Sequence, residues 1–80
     1  MFYDIKNMPE GLTLHKSLDA SFQDITYLPS NLTIGDNLII NNTNIKSLPS
    51  NLKVKGSILI SKNMESTFEK YKDTYDIKVV

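Results

Sequence analysis

Apolar residues recur along this chain at a spacing of twenty. Ile5, Ile25 and Ile45 open three windows, 5–24, 25–44 and 45–64, that align without a gap. Met8, Leu28 and Leu48 form the next apolar column, and Leu12, Leu32 and Leu52 the one after. Then come Leu14, Ile34 and Val54; Leu18, Leu38 and Ile58; and Ala20, Ile40 and Ile60. Pro9, Pro29 and Pro49 align as well. Within a window the apolar spacing falls to two at Leu32-Thr33-Ile34 and at Leu38-Ile39-Ile40. Period two puts alternate side chains on one face of an extended chain, so both stretches predict short strands. Gly35, Asp36 and Asn37 predict a corner between them, and Asn41–Asn44 and Ser47–Asn51 supply the others.

A unit this short cannot bury its apolar side alone, but stacked units can. Each column then becomes a ladder of like side chains, with adjacent coils about 4.8 Å apart through parallel backbone hydrogen bonds. The expected fold is mainly β: a short right-handed parallel β-solenoid of three coils in one domain, 1–80, with a small C-terminal helix/strand cap. Residues 1–4 are expected to cap the first rim, and residues 65–80 the last. In Glu65–Lys72, Phe68 and Tyr71 stand three apart with charges between them. That spacing predicts two helical turns, capped by Asn63 or Ser66, whose aromatic side closes the third coil. Tyr75–Val80 alternates and is β-prone; it pairs either with the last coil or with another molecule.

The windows resemble a short leucine-rich-type repeat of bacterial and phage proteins, of approximate form I-x-x-L-P-x-x-L-x-V-x-G-x-L-x-L-x-x-T-x. The likeness covers residues 5–64 and is best in the second and third windows. The first departs: His15-Lys16 replaces the glycine corner, Met8 replaces Leu, and Phe22 stands in the loop. The third has its glycine one place late, at Gly56. The resemblance implies binding modules of diverse target, so it leaves the partner open. Gln23, Thr43 and Asn63 fall where leucine-rich repeats usually place Asn. The resemblance implies that they bond turn backbone and hold neighbouring coils together; reading a ligand is the alternative.

Composition narrows the function classes. Nine basic residues balance nine acidic ones, and every basic residue is Lys. Neutrality without Arg disfavours charge-driven binding of duplex DNA, so nucleic acid ranks low as a partner. There is no cysteine, hence no disulfide or thiolate metal site. The opening residues lack the basic and apolar regions of a signal peptide, and no run is long enough to cross a bilayer. A cytoplasmic location is expected, and the sequons at Asn31 and Asn41 are read as chance. His15 is the sole histidine; no nucleophile elbow, zinc motif or phosphate loop occurs. Asp19, Asp24 and Asp36 read as solvated loop charges. No enzyme activity, metal or cofactor is expected.

The informative anomaly lies on the second strand. If Leu38 and Ile40 face inward, Ile39 faces outward, and its equivalents are Asp19 and Leu59. Two large outward aliphatics one coil apart make an apolar strip of the kind that marks interfaces. The expected partner-binding surface is a sheet face presenting Ile39, Leu59, Asn41 and Ser61, with the aromatics Tyr27 and Phe22 at its margins. The competing reading has the C-terminal segment fold over Ile39 and Leu59. Lys53, Lys55 and Lys62 cluster on the third window, away from Asp19, Asp24 and Asp36. That polarity either steers a partner or simply discourages edge pairing.

Size and resemblance together suggest a phage or mobile-element accessory protein. It would bind a host protein, such as a defence or CRISPR nuclease, and inhibit it by steric occlusion. The alternative is a structural protein that forms a homodimer or larger assembly through solenoid rims or the C-terminal strand.

Overall fold

The twenty-residue spacing of the sequence is the register of two parallel sheets. The computed structural model describes residues 8–80. The expected N-terminal cap at residues 1–4, and Ile5 of the first column, lie outside the described residues. Six short strands come in three pairs: β1 (Thr13–Leu14) and β2 (Leu18–Asp19), β3 (Thr33–Ile34) and β4 (Leu38–Ile39), β5 (Lys53–Val54) and β6 (Ser57–Ile60). The first member of each pair joins a three-stranded sheet, β1-β3-β5, with Thr13 beside Thr33 and Thr33 beside Lys53. The second member joins another sheet, where Leu18 pairs Leu38 and Leu38 pairs Ile58.

The strands are short because the chain turns between them, and three kinds of position make the turns. Gly11, Asn31 and Asn51 hold φ of +75°, +59° and +58°, one left-handed corner at the same place in each window. Asn42 and Phe22 hold a second, at +59° and +62°. Asn and Gly visit this region at least cost, which explains their columns. The third corner is set by crowding. A Cβ on Gly35 would stand 2.7 Å from the His15 carbonyl oxygen, one window back. His15 itself lies next to β1, the edge strand of its sheet, so the first window tolerates a side chain there.

The core lies between the two sheets. Leu18, Leu38 and Ile58, and Ala20, Ile40 and Ile60, are fully buried, as are Leu32 and Ile34. Met8, Ile25, Leu28, Ile45 and Leu52 join them. Burial of such side chains contributes about 1.5–3 kcal/mol each, so like ladders account for most of what holds repeat to repeat.

The tail closes the third window. A 3-10 turn, Lys62–Met64, leads into α1 (Glu65–Phe68) and a second 3-10 turn, Glu69–Tyr71. Phe68 is fully buried and Met64 nearly so. Neither Asn63 nor Ser66 caps α1: Met64 precedes it, without a side-chain bond. The preceding turn removes the need, because Met64 N–H already donates to the Ser61 carbonyl and Glu65 N–H to that of Lys62. Tyr71 Oη accepts the Leu48 amide at 3.0 Å, and Tyr75 Oη donates to the Leu52 carbonyl at 2.7 Å. Strand β7 (Asp76–Val79) then runs parallel to β6 and completes the four-stranded sheet β2-β4-β6-β7. The described residues form a small, mainly β fold of parallel sheets with one short α-helix.

Candidate functional site

From Leu38 to Ile40 and from Ile58 to Ile60, side chains alternate between buried and half-buried. Leu38, Ile40, Ile58 and Ile60 are fully buried, whereas Ile39 and Leu59 between them are not. Alternation therefore puts Ile39 and Leu59 on the face away from the core. They pair directly in the sheet, and their column continues to Asp19 on β2 and Lys78 on β7. The outer face thus carries an acid, two aliphatics and a base in a row, spanning about 14 Å at the strand spacing of parallel sheets.

The C-terminal segment does not lie across this strip. Strand β7 sits beside β6 within the sheet, and Val80 N–H donates to the Ile60 carbonyl. Ile39 and Leu59 are half-buried, and they stand directly opposite one another on neighbouring strands.

Small polar groups surround the strip. Asp19 accepts both the amide and the hydroxyl of Ser21, at 3.0 and 2.6 Å. Lys78 Nζ lies 3.8 Å from the Asp76 carboxylate, and both are exposed. Asn41 is half-buried, and its carbonyl accepts the Phe22 amide at 3.1 Å, which places Phe22 at the end of the face. Phe22 is 76% exposed. Two expected members differ. Ser61 is buried, and its Oγ accepts the Asn42 amide at 3.0 Å; it supports the face from within because the 3-10 turn starts there. Tyr27 is exposed, but it lies between buried Ile25 and Leu28, on the stretch that leads away to the other sheet.

Within the Gln23, Thr43 and Asn63 column, Thr43 bonds turn backbone, as expected. Thr43 Oγ1 donates to the Ile40 carbonyl and accepts the Ile45 amide, closing the turn that leads from the second window into the third. Further bonds between windows come from Ser17, Asn37 and Ser57. Asn37 N–H donates to Ser17 Oγ, Ser57 N–H to Asn37 Oδ1, and Ser57 Oγ–H to Asp76. Asn51 reaches Asn31, and Asn44 reaches Asp24, in the same twenty-residue step. The clue was available: Ser17, Asn37 and Ser57 recur at one position, just ahead of β2 and β4 and at the first residue of β6.

Two ionisable groups among the described residues are shifted, and both lie off this face. Burial, and after it the neighbouring Tyr71, raises the Tyr75 phenol above its ordinary value. The Lys72 ammonium is also raised, chiefly by its hydrogen bond to Glu69. Among the described residues no cluster of three His, Cys, Asp or Glu could hold a metal ion. None of their helices is long and apolar enough to cross a membrane. What this face offers is apolar contact rimmed by hydrogen-bonding groups. Comparison with known protein families, curated proteins and solved structures finds no match for the chain.

Proposed function

We propose that this chain is a non-enzymatic protein-binding module that covers a surface of a partner protein with the outer face of β2, β4, β6 and β7. The observation that carries the reading is the Ile39–Leu59 pair, side by side in mid-sheet with Asp19 and Lys78 at its ends. An apolar centre with a polar, charged rim is the usual anatomy of a protein interface. The two sheets are read as walls of a short right-handed β-solenoid of leucine-rich type, a rigid frame that presents the strip without reordering. Exposed Phe22 supplies an aromatic anchor at its end. The narrower reading, inhibition of a host defence protein by occlusion, rests on the resemblance of the windows to phage repeats.

The test pairs Ile39→Asp with Leu59→Lys and compares capture of host proteins by wild type and variant, with circular dichroism as the folding control. Loss of a specifically captured protein by a folded variant is expected. Equal capture would remove this face as the binding surface.

One observation favours a second reading, self-association. Strand β7 is an edge strand among the described residues, and its last residue Val79 and the following Val80 are 41% and 65% exposed. Sedimentation equilibrium at high concentration decides it, since a strict monomer excludes assembly through β7.

A further inference from the structure

We propose that the free edge of β5 receives an extended acidic peptide segment of a partner protein as an added strand. The two sheets end differently. One gains a fourth rung, because β7 pairs with β6; the other stops at β5. A shallow cleft of about 490 Å³ spans β3 and β5, lined by Thr33–Gly35 and Leu52–Lys55 and bordered on the tail side by Thr74 and Tyr75.

The backbone there is set to pair. Lys53 and Lys55 donate their amides inward, to the carbonyls of Leu32 and Ile34. In a parallel ladder alternate residues serve opposite neighbours, so Leu52 and Val54 direct theirs to the open side. The Tyr75 hydroxyl takes the Leu52 carbonyl. Val54 keeps a donor and an acceptor for an incoming chain. One such bridging residue suffices here, because every strand of this sheet is only two residues long.

Charge selects the occupant. Lys53 and Lys55 are exposed on the outer face of β5, and neither has a salt-bridge partner among the described residues. Acidic side chains at alternate positions of an added strand would stand beside both, within cross-strand reach. A second copy of this chain is a poor guest. Its β5 would bring two more lysines, and its β7 offers Asp76 and Lys78 in alternation, one matched and one opposed. The same lysines that repel self-pairing thus admit an acidic strand from another protein. This edge belongs to the opposite sheet from the Ile39–Leu59 strip, so either surface can fail without the other.

The test titrates the ¹⁵N-labelled full chain, at low salt, with the capped peptide acetyl-Thr-Glu-Val-Glu-Val-Thr-amide and with its Lys-for-Glu counterpart. Saturable shifts centred on the Val54 and Lys55 amides are expected, with slowed exchange of the Val54 amide. The basic peptide should bind roughly tenfold more weakly or worse, and Lys53→Glu with Lys55→Glu should reverse that preference. Three results would overturn the proposal: shifts confined to β6 and β7, no saturable shift at millimolar peptide, or equal binding of both peptides. Concentration-dependent Val54 shifts without peptide would overturn it too, by naming a second copy as the occupant.

Discussion

Phe22 and Asn42 occupy the same left-handed corner twenty residues apart, at φ of +62° and +59°. Asn tolerates this conformation; a bulky aromatic pays about 1–2 kcal/mol for it. Phe22 gains nothing from burial in return, being 76% exposed. Strain of this kind persists where a side chain serves something other than stability. Phe22→Asn should therefore raise stability by about 1 kcal/mol, read from the urea midpoint, while weakening capture of the partner. A lower midpoint would mean that Phe22 supports the fold.

Gly35 and His15 hold equivalent places with unequal freedom. Gly35→Ala should cost about 1–3 kcal/mol, because its new Cβ meets His15 backbone that cannot swing aside. His15→Ala should stay within about 0.5 kcal/mol, as an exposed change on the edge window. Equal costs in denaturant titration would contradict the crowding account.

Phe68 seals the last window. Phe68→Ala should cost about 3–5 kcal/mol, a large share of the stability of so small a chain. Differential scanning calorimetry should show a much lower midpoint, or no cooperative transition.

Tyr75 couples the tail to pH. Its folded phenol titrates above the unfolded value of 10.0 because burial, and then Tyr71, disfavour the phenolate. The unfolded chain therefore releases this proton first. The stabilising contribution is complete below pH 10.0 and is lost as pH rises through the folded value. Tyr75→Phe should cost about 0.5–1.5 kcal/mol at neutral pH, for the lost bond to Leu52. It should also flatten the alkaline decline relative to wild type; parallel curves would assign that decline to other groups.

The sheets were legible in the sequence because a period of twenty leaves little choice of register: Leu18, Leu38 and Ile58 align in the text as they do in space. The outward placement of Ile39 and Leu59 followed from alternation alone. The tail was legible only in outline. Phe68 was readable as core, but the 3-10 turns around α1 have no apolar period to announce them. The Tyr71 and Tyr75 hydroxyls bond backbone twenty-three residues away, and such contacts leave no local trace. Strand β7 was readable as extended, yet its offset of nineteen from β6 breaks the pattern that located the others. Ser61 was assigned to the surface by its column, and the turn that begins there buried it.

Successive windows pair in parallel with a step of twenty, and that step sets Ile39 beside Leu59. Scalar couplings across backbone hydrogen bonds measure this directly. Couplings from the Ala20 amide to the Ile39 carbonyl, and from the Ile40 amide to the Leu59 carbonyl, are predicted, with close contacts between the Ile39 and Leu59 methyl groups. Couplings from each amide to a carbonyl four residues earlier, or an Ile39 without Leu59 as neighbour, would contradict it.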